Sequence, residues 1–313
     1  MAGTEEAFVA VVIAAFNPDA TLLDNARAAA AQAVGVVVVD DGSAPDSGDV
    51  FAALLTEGVV VHHQSSNTGI AAALNAGVAV ARQRWDPTHI LTLDQDSTVA
   101  PTYVRHALET EEAATAAGLK VGFVSAGAYG QQATPSRGTI AGFTRAFDPL
   151  QSGFVVPVAT LDAVGMFDEG LFIDGVDSEF TARVRAAGLE VLVGTGCQLE
   201  HALGKREPAV LFGRPLRLMG RPITYNYHSP SRVYYISRNG ATLAARYLRT
   251  DPVWVARRSV EELKAHTLRI GLGRDKAKLL LAAVSGIGDA FRHRTGRLTD
   301  DMARKFSGQQ SSS

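Results

Sequence analysis

The chain is short of several things, and each shortage narrows what it can be. Cysteine occurs once, at Cys197, so no disulfide framework exists within the chain, and the usage suits a reducing compartment. No run of roughly 18 or more apolar residues occurs, so no transmembrane helix is expected. The opening Met-Ala-Gly-Thr-Glu-Glu is acidic where a signal peptide is basic, and it leads straight into a strand-like run, so no signal peptide is expected. No internal repeat is visible. Basic residues are scarce in residues 1–200, with 9 Lys+Arg against 24 Asp+Glu, and acids are scarce in residues 201–313, with 21 Lys+Arg against 8 Asp+Glu. A net charge of -2 conceals this division. It implies two tasks, with the basic part facing anionic lipid, an anionic acceptor or nucleic acid, or docking on the acidic part. No nucleic-acid-binding motif accompanies the basic charge, so nucleic acid is not an expected partner.

What is present is apolar patterning. With 46% hydrophobic residues in 313, the chain can build one large domain or a domain with an appendage. Continuous apolar runs at Phe8–Ala15, Gly35–Val39, Val59–His62 and Ile90–Leu93 have the pattern of strands buried on both faces. Between them, Leu22–Ala30 after a capping Asp19, Val50–Leu55, and the stretch from Asn67-Thr68-Gly69 to Arg84 have helical spacing. Further on, the pattern predicts a helix at Pro101–Ala117, strands at Val121–Ala126, Phe154–Val156 and Val191–Val193, a hairpin or loop over 127–145, a short helix at Leu161–Val164, and a helix at Ala182–Ala187 ending at Gly188. Three more helices are expected at Ser231–Tyr247, Val253–Arg269 and Asp275–Arg292. Strands alternating with helices predict an α/β fold with a mostly parallel sheet, whose ligands bind beyond the carboxyl ends of the strands.

Polar clusters follow three of those strands: Phe16-Asn17, Asp40-Asp41-Gly42-Ser43 and Asp94-Gln95-Asp96. If the last strand continues, alternation points Asp94 and Asp96 the same way, and two convergent carboxylates call for a cation or a substrate. Their hard oxygens suit magnesium or manganese carrying a diphosphate, with His201 available as a nitrogen ligand. A carboxylate at Asp41 can accept the imide N–H of a uracil or thymine ring; the plain alternative is an Asp-Gly turn. Asp174, Asp177 and Glu179 crowd one segment ahead of a helix, where acids also cap. Among apolar Phe172, Ile173 and Val176, Asp177 is the candidate general base.

Together these stretches resemble family 2 glycosyltransferases of the GT-A fold. The matching parts are Val11–Asn17, Val37–Ser43, Asn67–Gly77, Leu93–Asp96, Gly165–Asp168 and Asp174–Arg183. The segments Phe172–Phe180, His201–Gly204, Arg232–Asn239 and Gly286–Gly296 are similar to the bacterial rhamnosyltransferases of that family. Two departures stand out: Gln95 is the middle residue of the acidic triplet, and Val176 takes the place of an acid that many relatives carry.

The resemblance implies a nucleotide-sugar-binding and catalytic domain over 1–204, a basic helical region over 205–300 and a disordered tail over 301–313. It implies that Ala14 and Phe16 line a base pocket, that Asp41 binds the pyrimidine, that Asp94 contacts ribose, and that Asp96 holds Mg2+ or Mn2+ with His201 near the metal or diphosphate. Asn17, Asn67, Gly69 and Gln95 join the nucleotide-sugar site through the same motifs. Asp177 is the base, with Ser152, Gly153, Asp174 and Glu179 on the acceptor side.

The implied reaction is an inverting, metal-dependent transfer of L-rhamnose from dTDP-rhamnose to a glycan on a lipid diphosphate carrier in cell-envelope polysaccharide synthesis. UDP-galactofuranose or another UDP-sugar is the alternative donor. The expected location is cytoplasmic, peripheral on the inner face of the membrane, with homo-oligomerisation open. A rival from another class reads Leu91–Thr98 as the nucleophile strand of a haloacid-dehalogenase-type phosphatase with Asp94 phosphorylated. That rival leaves Asp40–Ser43 and the acids of 174–179 unexplained.

Overall fold

The computed structural model describes residues 7–201, 206–208, 210–211, 214–218, 220–222, 224–272 and 275–307. The chain divides into two compact units, one of Met1–Glu169 with Val176–Ala202, the other of Gly170–Gly175 with Leu203–Ser313.

The first unit alternates strands and helices: β1 (Val9–Ala15), α1 (Thr21–Ala30), β2 (Gly35–Asp40), α2 (Gly48–Thr56), β3 (Val60–His63), α3 (Ile70–Trp85) and β4 (His89–Asp94). Then come β5 (Ser97–Val99), α4 (Tyr103–Ala116), β6 (Val121–Ser125), β7 (Ala128–Tyr129), β8 (Gln132–Ala133), β9 (Ser136–Ile140), β10 (Phe143–Ala146), β11 (Phe154–Pro157) and α5 (Val158–Val164). Helix α6 (Val176–Ala186) and strands β12 (Glu190–Val193) and β13 (Gln198–His201) complete it.

The main sheet has nine strands in the order β3-β2-β1-β4-β11-β6-β12-β10-β9. Strands β3, β2, β1 and β4 run parallel, with Ala15 opposite Asp40 and Ala14 opposite Asp94. The apolar runs alternate between two covered faces. Val9, Val11, Ile13, Val36 and Val38 pack with Leu22, Phe51, Leu54 and Tyr103, whereas Val12 and Val39 lie against α3. Helices on both faces explain why these strands read as unbroken apolar runs. Beyond β11, Phe154 stacks near Phe123 at 4.2 Å, and Phe180 of α6 lies 5.7 Å from Phe123 and 4.7 Å from Phe167. Burying Phe180 alone stabilises this layer by about 2–3 kcal/mol. A second, four-stranded sheet has the order β5-β13-β7-β8. The single cysteine, Cys197, is fully buried, and burial pushes its thiol up to about 12.

Two expectations are corrected here. Helix α6 begins at Val176 rather than 182, so Asp177 and Glu179 lie in its first turn, where the amide dipoles favour acids. The stretch expected to be disordered from 301 begins as a helix, because Phe306 is buried and Asp301 pairs with Lys305 at 2.8 Å; residues 308–313 lie outside the described residues.

Among the described residues, the second unit holds three short antiparallel pairs between residues 206 and 226, which carry no readable period. Its helices are α7 (Pro230–Tyr247), α8 (Pro252–Leu272), α9 (Lys276–Phe291) and α10 (Asp300–Ser307). Ser229 caps α7 by accepting the Arg232 N–H at 3.3 Å, with Pro230 in the first turn. Val233, Tyr234, Tyr235, Leu279, Ala282 and Phe306 form the helical core.

Candidate active site

The loops after β1, β2 and β4 lie at one edge of the parallel strands and are tied to one another. The Gln95 side-chain oxygen accepts the Phe16 N–H at 2.7 Å, and the Gln95 carbonyl accepts Asn25 Nδ2 at 2.8 Å. This gives the departure at position 95 a structural task. Asn17 donates its N–H to Ser43 Oγ and accepts the Ala44 N–H, each at 2.8 Å. Asp40 accepts the Ser43 N–H and bonds His63 Nδ1, both at 2.8 Å. Burial pushes the Asp40 carboxyl up, but the Ser43 and His63 contacts outweigh it and leave it below the ordinary carboxylate range.

Asp41 is 5% exposed. One oxygen accepts the Thr68 N–H at 2.7 Å and the other the Gly69 N–H at 2.9 Å, so its carboxylate holds the entry to α3. Gly42 makes the turn possible, with φ +73° and a would-be Cβ 2.5 Å from the Ser66 carbonyl carbon. Asn67, beside these bonds, has a buried side-chain oxygen with no hydrogen-bond partner. Ala14 is half-buried, whereas Phe16 and Asn17 are exposed; Phe16 offers an aromatic face.

Strand β4 ends at Asp94, so Asp96 lies in the turn before β5 and strand alternation does not orient it. Asp94 and Gln95 are half-buried and Asp96 is exposed. A shelf under Asp94 comes from the segment ahead of β11. Gln151 donates its amide to Asp94 Oδ1, and Ser152 Oγ accepts the Asp94 N–H at 3.1 Å while bonding Ser97 Oγ at 2.7 Å. Gly153 donates to the Thr92 carbonyl at 2.7 Å and accepts Tyr103 Oη at 2.6 Å. Ser152 and Gly153 were expected on the acceptor side; both are buried and act as supports. Gln151 was missed. Its signal is an amide placed just ahead of an apolar strand.

Asp177 is half-buried and accepts the Ser178 N–H at 2.8 Å. Its link to Asp94 runs through Tyr129, whose hydroxyl donates to the Leu150 carbonyl at 3.0 Å. Burial raises the Tyr129 phenol well above its usual range, and the charges of Asp177 and then Asp94 push it further the same way. The charges of two carboxylates 83 positions apart in the sequence therefore both act on one phenol.

Glu179, the other acid of α6, is 1% exposed and fully engaged by Arg183, with the closest contact at 2.8 Å. Arg183 also donates to the Val164 and Met166 carbonyls at 2.5 and 2.7 Å. Glu179 is thus a buried clamp on the 164–166 turn and is withdrawn from the acceptor side. Asp174 belongs to the second unit. Arg232 grips both its oxygens at 3.0 to 3.2 Å. Burial raises the Asp174 carboxyl, and Arg232 opposes the rise.

Among the described residues, no group of three or more His, Cys, Asp or Glu gathers into a metal-binding cluster. The β5–β13 ladder sets His201 opposite Ser97, next to Asp96, although the His201 side chain lies outside the described residues. Two carboxylates at Asp94 and Asp96 fit a hard cation that draws its remaining ligands from a diphosphate.

Residues 10–161 match the family model described as Glycosyl transferase family 2. Over that stretch, just under half of its length, the chain is similar to family 2 glycosyltransferases. The succinoglycan biosynthesis protein ExoO of Rhizobium meliloti (strain 1021) is 39% identical over 111 residues, covering 34% of this chain and 31% of that protein. The dTDP-rhamnosyl transferase RfbF of Shigella flexneri is 31% identical over 147 residues, covering 47% of this chain and 46% of that protein. The matched stretches therefore span less than half the length of these curated relatives.

Two solved structures share the fold at low identity. They are S. aureus TarS 1-349 in complex with UDP-GlcNAc (TM-score 0.56, 14% identity, 92% of this chain and 81% of that one) and the mannosyltransferase PcManGT from Pyrobaculum calidifontis in complex with GDP-Man and Mn2+ (TM-score 0.56, 15% identity, 97% of this chain and 80% of that one). The chain has the GT-A fold.

Proposed function

We propose that this glycosyltransferase moves L-rhamnose from dTDP-rhamnose to a hydroxyl of a lipid-diphosphate-linked glycan, with inversion, at the inner face of the cell membrane. The reading rests chiefly on Asp94, held by Gln151 at the carboxyl edge of the parallel strands, with Asp177 in the first turn of α6 as the base. The RfbF relative supports the choice of sugar.

Asp177 takes the proton of the acceptor hydroxyl, whose oxygen attacks the anomeric carbon as the bond to the nucleotide diphosphate breaks. Phe16 and Asp41 flank the base, Asn67 satisfies its orphaned oxygen on the nucleotide, and Asp94, held by Gln151, takes the ribose. Asp96, with His201, would hold Mg2+ or Mn2+, whose chemistry when bound is to offset the charge gathering on the leaving diphosphate.

The test is a thermal-stabilisation screen of dTDP-, UDP- and GDP-sugars with and without Mg2+ or Mn2+. The expected outcome is metal-dependent stabilisation by dTDP-rhamnose; stabilisation by GDP-sugars alone overturns the pyrimidine site. In the Asp177→Asn variant, transfer falls by about 10²–10⁴-fold while donor stabilisation persists. Undiminished transfer in that variant removes Asp177 from the reaction.

A further inference from the structure

Helix α9 has two unlike sides. Leu279, Ala282, Ala283, Gly286 and Asp289 face the helical core. Leu280, Val284, Ile287 and Phe291 are 44 to 78% exposed. Their spacing of i, i+4, i+7 and i+11 draws one apolar line along the whole helix, and exposed Leu281 widens it. Cations stand at both ends, Lys276 and Lys278 at the start, and exposed Arg292, Arg294 and Arg297 beyond the finish. The single acid within α9, Asp289, is buried, where it accepts Tyr234 Oη at 2.8 Å and pairs with Arg294 at 3.2 Å and Arg292 at 3.6 Å, so one carboxylate is set against the three arginines at this end.

An apolar line of this length needs a cover, and the charges choose among covers. A second copy of α9 laid antiparallel sets Lys276 and Lys278 against Arg292 and Arg294, and a parallel copy sets each cationic end on itself. Neither arrangement finds an exposed acid on α9 to answer it. An anionic lipid surface satisfies both features at once, taking the apolar line at the headgroup–acyl boundary and the flanking cations on its phosphates. No helix among the described residues is long and apolar enough to cross a membrane, so α9 would lie on the surface rather than span it.

We propose that α9 is the lipid-docking surface of this chain, with Leu280, Leu281, Val284, Ile287 and Phe291 entering the interface. The inference deepens the membrane contact proposed above and rests on it. The test is co-sedimentation of the full chain with phosphatidylcholine vesicles, with and without phosphatidylglycerol, alongside the double variant Val284→Glu/Phe291→Glu. The expected result is binding to anionic vesicles, weakened about tenfold or more in the variant, with an unchanged thermal shift on adding dTDP-rhamnose. Equal binding by variant and wild type overturns the assignment to α9, and equal binding to neutral and anionic vesicles overturns the role of the cations. A wild-type dimer that the variant dissolves, without vesicle binding, assigns the face to a second copy instead. Donor stabilisation is read separately, so failure of the sugar reading leaves the vesicle result standing, and the reverse holds too.

Discussion

Asp41 is 5% exposed and accepts a backbone N–H on each oxygen, at Thr68 and Gly69. Oδ1 also accepts the Thr68 hydroxyl at 3.0 Å, whereas the oxygen on Gly69 keeps a second lone pair, so contact with a pyrimidine through that oxygen and support of α3 are compatible. The support has its own consequence. Replacing Asp41 by Ala leaves two N–H groups at the head of α3 without a charged acceptor, a loss of about 2–4 kcal/mol. The expected result is a melting temperature lower by several degrees in the absence of any nucleotide, with a smaller drop in Asp41→Asn. An Ala variant that melts with the wild type and loses only donor stabilisation would confine Asp41 to the base pocket.

Helix α7 shows what the Arg232–Asn239 stretch does as an element. Arg232 holds Asp174, the Asn239 amide donates to the Leu171, Ile173 and Asp174 carbonyls at 2.7 to 2.9 Å, and Arg238 donates to the Leu171 carbonyl at 3.0 Å and the Gly296 carbonyl at 2.7 Å. Phe172 stacks on Tyr235 at 5.1 Å. These contacts fix a segment in which Phe172, Asp174 and Gly175 all have positive φ, backbone that persists only where its surroundings over-determine it.

The packing of α9 on α7 is as demanding. A Cβ at Gly286 would lie 2.4 Å from the Tyr234 carbonyl oxygen and 3.0 Å from the Arg238 nitrogen. Alanine there gains about 1 kcal/mol of helix propensity, but backbone atoms cannot rotate away, and overpacking costs about 1–3 kcal/mol. Gly286→Ala should therefore melt lower; a higher melting temperature would mean that α9 approaches α7 less closely.

His228, just ahead of α7, adds a pH dependence to the stability of this unit. Burial, then Arg269 and Arg232, with a lesser push from His266 and against the pull of Glu262, depress its imidazole to about 4. The unfolded chain protonates it near 6.5. Between those values the unfolded state binds more protons, so the contribution is present above about 6.5 and is lost as pH falls toward 4. A melting series across that window should show a shallower slope in His228→Gln, and an unchanged slope would place the titration elsewhere.

Across the whole molecule, the parallel strands were legible because β1, β2 and β4 are apolar on both faces. The acidic edge was legible because polar clusters end three of them. The second sheet was not, since β5, β7 and β13 have two to four residues each and carry no period. The early start of α6 was hidden by the left-handed residues immediately before it, which break any pattern read through Phe172–Phe180. The arginine that claims Glu179 sits one turn along the same helix and was readable in principle, whereas the one that claims Asp174 is 58 positions away.

Sequence alone determined the alternation of strands and helices, the placing of acids at strand ends and the division into acidic and basic parts. Composition and local period suffice for those. Tertiary structure decided which acids are already committed: Glu179 to Arg183, Asp174 to Arg232, Asp41 to the head of α3. It also decided that Asp94 and Asp177 share the surroundings of Tyr129. Burial and partner choice arise from contacts between residues far apart in the chain, and no local pattern encodes them.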